Sequence, residues 1–171
     1  LFTFSIADPK LHDLMGTVVD NVAARIPGLK YESVGPLLIT HWGFSGPAIL
    51  KLSSHAARLL AEADYQLPLT IDWAQQSEDE VRSTLYEAAV REPHKQLTTF
   101  CPLPLPQRLW TYLVEKSLDS RSHIRWSELS KKEVNRLTNT LTNDNYLISG
   151  RSAFKDEFVT CGGISLSSVN P

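Results

Sequence analysis

The stretch Gly35 to Arg58, GPLLITHWGFSGPAILKLSSHAAR, constrains this chain more than any other, because it reads as a strand, a glycine turn and a helix in immediate succession. Leu37, Leu38 and Ile39 form a short apolar run of strand type. Thr40, His41 and Trp42 follow, and Gly43-Phe44-Ser45-Gly46-Pro47 makes the turn. Pro47 suits the first helical position, where its fixed φ fits and its missing N–H costs nothing. Behind it Ala48, Ile49, Leu52 and Ala56 recur at three- and four-residue spacing. Three readings of the turn are open. Its glycines allow two elements to pack closely. Its backbone N–H groups and the helix dipole suit an anion or the edge of a cofactor. The third reading is a nucleophile elbow carrying Ser45, but that motif is G-x-S-x-G and its fifth position here is Pro47.

The rest of the chain divides by texture. Asp8-Pro9 opens a short helical turn through Leu11 and Leu14, which Gly16 ends. Thr17 to Ile26 alternates as a half-buried strand, with Val18, Val22, Ala24 and Ile26 on one side and Asp20 as the misfit among them. Pro27-Gly28 is a turn, and residues 29–34 read as a second strand leading into the central one. Leu67 to Trp73 is a further strand, placed at an edge or a strand start by Pro68. Helical texture then takes over. Ser77 with Glu80 and Ser130 with Glu133 are capping boxes, each opening a helix with an apolar stripe. Between them the spacing predicts a short helix near His94 to Phe100, an elbow at Cys101 to Pro106 and a helix over 107–118. Asn143-Asp144-Asn145 reads as a turn, after which Tyr146 to Ser149 and Glu157 to Thr160 are strand-like. The expected class is α+β: a small sheet or barrel built from both ends of the chain, with a helical lobe inserted in the middle. The expected boundaries are 1–76 plus 143–171 for the β-rich lobe and 77–142 for the helical lobe.

With 171 residues, 42% hydrophobic and 21% charged, the chain can bury a real interior. A net charge of −2 gives no reason to expect nucleic acid or an anionic membrane as partner. No apolar run approaches the roughly 18 residues of a membrane span. No basic-then-apolar leader opens the chain, so a cytoplasmic location is expected. Cys101 and Cys161 lie far apart without a CxxC or histidine spacing, which reads as free thiols. His12, His41, His55, His94 and His123 form no ligand motif, so no metal is expected. The acidic runs Glu78-Asp79-Glu80 and Asp156-Glu157 read as solvated helix starts or strand edges. A chain that opens on Leu1 and has Met15 as its one methionine reads as a piece of a longer product.

Three segments carry a resemblance. Thr40-His41-Trp42-Gly43-Phe44-Ser45-Gly46-Pro47-Ala48 resembles the T-H-x-G-x-S-G-P-A signature of bacterial flavoproteins of the BaiN/YhiN type. Phe158-Val159-Thr160-Cys161-Gly162-Gly163-Ile164 is similar to that family's V-T-x-G-G-V segment, and Glu128-Leu129-Ser130-Lys131-Lys132-Glu133 to its E-L-S-K-K-E helix start. Their order and rough spacing agree with the family across nearly the whole chain. The resemblance implies an insertion, or cap, domain whose FAD-binding fold is supplied by the same polypeptide outside this chain. No G-x-G-x-x-G is present here to cradle a pyrophosphate.

On that resemblance the parent is an oxidoreductase using FAD, with NAD(P)H as a candidate reductant and an unknown small molecule as substrate. The chain by itself is expected to bind no cofactor and to be inactive. His41, Trp42, Gly43, Phe44, Ser45 and Gly46 are the expected substrate-cleft residues, and Thr160, Cys161, Gly162 and Gly163 the expected flavin-proximal loop. Cys161 stands where the family often has a small residue such as alanine, and no basic neighbour in sequence activates it. Two alternatives stand beside this one: a non-enzymatic binding or oligomerisation module using the helical lobe, and a small hydrolase using Ser45 with His41.

Overall fold

A computed structural model describes residues 3–63 and 66–149. Among these, six strands form one antiparallel sheet: β1 (Phe4–Ser5), β2 (Val18–Arg25), β3 (Glu32–Ile39), β4 (Gly43–Ser45), β5 (Gln66–Asp72) and β6 (Asp144–Ser149). Their order in the sheet is β1-β4-β3-β2-β5-β6. The two edges meet: Ile6 bridges Ile148, and the Ser149 hydroxyl donates to the Ser5 carbonyl at 3.2 Å. The sheet therefore closes on itself, and closure removes the unpaired edges that an open sheet would expose. Five α-helices accompany it: α1 (Pro9–His12), α2 (Pro47–Glu62), α3 (Glu78–Arg91), α4 (Gln107–Leu118) and α5 (Lys131–Thr142). The last three fall between β5 and β6, so strands stand at both ends of the chain and helices in its middle, the α+β arrangement expected from the sequence.

Helix starts follow their local chemistry. Asp8 caps α1 by accepting from Lys10 N and Leu11 N, and Pro47 holds the first position of α2. The Ser77 and Ser130 capping boxes are both formed. The buried residues of α2 include Ala48, Ile49, Leu52 and Ala56, those of α3 Val81, Leu85 and Ala88, and those of α5 Val134, Leu137 and Leu141. These stripes and the barrel interior form one continuous apolar cluster. In its helical part the Trp110 and Trp126 rings lie 6.2 Å apart and nearly parallel, and the Trp110 indole donates to Leu97 O at 2.7 Å. The end of α5 is fastened to the barrel by Leu141 O, which accepts from both Trp73 N and Ala74 N.

Several local expectations are corrected. Between β3 and α2 the chain does not run as a simple glycine turn: residues 43–45 form β4, which doubles back on Leu38 and Ile39 before the helix starts. Residues 32–39 are one strand rather than two. In β2 a register shift between Val19 and Val22 breaks the alternation, leaving Val18 half exposed and Val19 buried, with Asp20 and Asn21 both facing solvent. The bulge accounts for the misfit of Asp20, since one extra residue moves a charge to the outer face. Pro68, by contrast, lies near the start of β5 as expected, paired with Leu147 of β6 and outside the stretch that pairs with β2. Residues 144–149 are strand throughout, so Asp144 opens β6 instead of closing a turn.

Two features of this frame are testable by stability. Gly43 sits at φ 153°, and a Cβ there would overlap the Phe4 carbonyl oxygen and stand 2.7 Å from Ile6 N. Gly43→Ala is expected to cost roughly 2 to 4 kcal/mol by combined strain and overpacking, read from urea melts. Between α4 and α5, Arg121 donates to the buried Glu133 carboxylate through Nε and, at 3.2 Å, through Nη2. Arg121 holds the Glu133 carboxyl down to about 2, below the usual 4.5. A carboxyl depressed in the folded state stabilises fully above its unfolded value, and that contribution is lost as pH falls through the folded value. Stability is therefore expected to drop between about pH 4.5 and about pH 2, and Glu133→Gln to remove part of that acid slope in pH-dependent melts.

Candidate functional site

The β3–β4 hairpin brings the motif residues 41–46 together in chain order but sends them to different places. The Thr40 hydroxyl accepts from Trp42 N at 3.3 Å and Gly43 N at 3.1 Å, fixing the turn. Trp42 is pinned to the β1 side, its indole donating to Thr3 Oγ1 at 3.1 Å and its carbonyl accepting from Ile6 N at 2.9 Å. His41 is exposed at the tip, edge-on to Trp42 with ring centroids 4.4 Å apart. Phe44 points the other way and is wholly buried, edge-on to Tyr146 at 5.0 Å and to Trp73 at 6.0 Å. Ser45 is half-buried opposite Leu38, and Gly46 caps α2 at φ 96°. Among the described residues Ser45 and His41 share no hydrogen bond, which leaves the hydrolase alternative without its nucleophile–base pair. Thr160, Cys161, Gly162 and Gly163 lie outside the described residues. Among the described residues no group of histidine, cysteine and acidic side chains could hold a metal. Cys101 is a free, half-buried thiol that donates to Leu103 O, and burial pushes its pKa up, away from reactivity.

A polar network, absent from the sequence expectations, sits where α4 meets the open end of the barrel. Asp144, 3% exposed at the start of β6, accepts from the Trp73 indole at 2.9 Å, from the Tyr146 hydroxyl at 2.5 Å and from Lys116 Nζ at 2.5 Å. Lys116 also lies 3.7 Å from the centre of the Tyr146 ring. One turn back on α4, the Tyr112 hydroxyl donates to Asp8 at 2.7 Å. Each phenol has one proton and each gives it to a carboxylate, so the 3.3 Å contact between the two hydroxyl oxygens has no hydrogen of its own. Burial drives both phenols well above their ordinary pKa and keeps them protonated donors. Burial also raises the Asp144 carboxyl, against the pull of Lys116. Period-two spacing in β6 would have revealed part of this, since Asp144, Tyr146 and Ile148 share its buried face. Lys116 and Tyr112, four apart on α4, were legible only as helix positions.

Clefts open on both sides of Lys116. One of about 340 Å³ is bounded by Ile6, Asp8, Asn145, Tyr146 and Ser149. The other, of about 250 Å³, is lined by Arg136, Asn139, Thr140, Asn143 and Asn145. A third apolar recess lies on α3, where Tyr86 and Val90 stay exposed beside Arg91. The network makes a clear prediction. Lys116→Met leaves a buried carboxylate without its cation and is expected to cost about 3 kcal/mol. Burial raises the Asp144 carboxyl and Lys116 opposes that rise, so removing the lysine shifts the balance further toward the protonated form. The penalty is therefore expected to be small in acid and to grow as pH rises through the raised pKa. Asp144→Asn, which keeps an oxygen for Trp73 and Tyr146, is expected to cost less in the same melts.

Comparison with known proteins places this architecture. The family model described as the HI0933-like protein barrel and H2TH domain matches residues 1–159. Its barrel corresponds to the closed sheet, and two helices joined through two short turns are seen in α4, the single 3-10 turns at Asp119–Arg121 and Trp126–Glu128, and α5. The chain is also 24% identical over 180 residues to the ribosomal RNA dihydrouridine synthase of Escherichia coli (strain K12). That alignment takes in 99% of this chain and 40% of the relative, so the chain spans well under half of that relative's length. The chain belongs to the HI0933-like barrel and H2TH family, the family of BaiN/YhiN-like flavoprotein oxidoreductases.

Proposed function

We propose that this chain is the substrate-facing insertion domain of a flavin-dependent oxidoreductase, inactive by itself. The family match over residues 1–159 carries the reading. The glycine turn before α2 does not fit an FAD pyrophosphate. Gly46, at the start of α2, has its open side filled by β3, with Leu38 N 2.9 Å and Pro36 O 3.1 Å from where a Cβ would stand. The flavin and any NAD(P)H would then belong to the remainder of the parent polypeptide, and this domain's part is to shape and close the cleft above it. In this reading the barrel strands form one lobe and residues 77–142 the other. His41 and Trp42 at the hairpin tip face the cleft, while Gly43, Phe44, Ser45 and Gly46 set their position. The loop at Thr160, Cys161, Gly162 and Gly163 is proposed as flavin-proximal on the resemblance of its sequence. That no described helix is long and apolar enough to cross a membrane accords with this picture.

A second reading of the substrate rests on one observation: the relative aligned with 99% of this chain is named for ribosomal RNA. Under it the parent reduces a base in RNA.

One set of measurements separates these readings. The full protein is expected to be yellow and to oxidise NAD(P)H, while the isolated chain leaves FAD fluorescence unquenched. His41→Ala is expected to lower kcat/KM about tenfold, close to 1.4 kcal/mol, with flavin content unchanged. A full-length protein without flavin would overturn the oxidoreductase assignment. Loss of dihydrouridine from ribosomal RNA in a strain lacking the gene would favour the RNA substrate; unchanged ribosomal RNA would favour a small molecule.

A further inference from the structure

Among the described residues the large apolar side chains that the five helices leave in solvent are Tyr86, 42% exposed, and Val90, 83% exposed. They lie one turn apart on α3 and line a recess of about 420 Å³ with Glu87 and Arg91. Tyr86 and Val90 form one ridge along the helix, and Glu87 and Arg91 the ridge beside it, each pair spaced by four. The other sides of α3 are already used. Val81, Leu85 and Ala88 are buried, and Arg82 bonds Asp79 at 2.8 Å and Asn135 of α5 at 3.1 Å. Glu87 precedes Arg91 by four residues, the orientation that favours an ion pair within a helix. At the same spacing on this helix Arg82 reaches Glu78 at 3.7 Å. Arg91 lies instead over the Phe100 ring, 5.8 Å from its centre, and forms no described ion pair with Glu87. The recess thus joins an apolar ridge to a ridge that carries one acid and one base.

We propose that this face of α3 receives the same face of a second copy of the protein, the two helices packing antiparallel across a two-fold axis. The axis crosses both helices midway along the recess. It reverses the helix direction and leaves each ridge opposite its own copy. Tyr86 then faces Val90 of the second copy, Glu87 faces Arg91 of the second copy, and each contact occurs twice. A two-fold contact needs a patch that complements itself. Two apolar residues four apart, followed at the next positions by an acid and a base, meet that condition in charge as well as in shape. An unrelated partner calls for no such match. A contact confined to one helix face stays under the about 1,200 Å² of total buried surface at which stable interfaces begin, so the association is reversible. This inference is independent of the flavin and RNA readings above.

The test follows the mass of the full-length protein by sedimentation velocity from micromolar to millimolar concentration. Wild type is expected to pass from monomer to dimer as the concentration rises. Glu87→Arg and Arg91→Glu each set like charges opposite one another twice, and each is expected to weaken the dimer roughly tenfold or more. An equimolar mixture of the two variants is expected to dimerise again, because one chain then carries two cations where the other carries two acids. Recovery in the mixture would also show that both variants are folded, which an unaltered melting temperature checks separately. Val90→Asp is expected to leave a monomer. A full-length protein that stays monomeric throughout would overturn the proposal, whatever else covers the recess. A dimer that both single swaps leave intact would overturn it as well, as would folded single variants whose mixture fails to dimerise.

Discussion

The joint between barrel and helices depends on one buried carboxylate. Asp144 accepts three hydrogen bonds from three separate elements: the end of β5 through Trp73, β6 through Tyr146 and α4 through Lys116. An ionised group taken from water costs several kcal/mol unless its partners are placed well, so the arrangement is demanding as well as cohesive. Its benefit is specificity of docking. An apolar contact between α4 and the barrel would tolerate sliding, whereas Lys116 of α4 bonds a carboxylate that two barrel side chains already hold in place, which defines a single position. Leu141 O, accepting from both Trp73 N and Ala74 N, repeats the logic in the backbone a few residues away.

The helix boundaries were legible because their causes are local. Asp8, Ser77 with Glu80 and Ser130 with Glu133 satisfy amides within one turn of themselves, Pro47 removes an amide that would go unpaired, and no distant contact is needed to read them. Where the structure departs from the sequence reading, the cause is long-range. β4 is only three residues, too short to show a period, and exists because β1 and β3 flank it. The bulge in β2 is set by register against β3. Asp144 resembles a turn residue among its neighbours Asn143 and Asn145, and becomes a strand residue only because Lys116 and Trp73 arrive to neutralise and bind it.

The same division runs through the candidate site. The His41 to Gly46 segment was conspicuous as a motif, yet its spacing could not say that His41 faces solvent while Phe44 fills the barrel. Alternation along β4 separates neighbours onto opposite faces. Half of a conspicuous motif therefore serves packing.

The closure of the sheet has a geometric consequence. Ile6, just after β1, meets Ile148 in β6, so the first and last described strands lie side by side. In the insertion reading proposed above, such a pair would act as two feet that nearly touch, and a surrounding fold could house the module without prising its own ends apart. Two adjacent strands would also make an axle, about which a body can tilt as a unit while its interior stays packed.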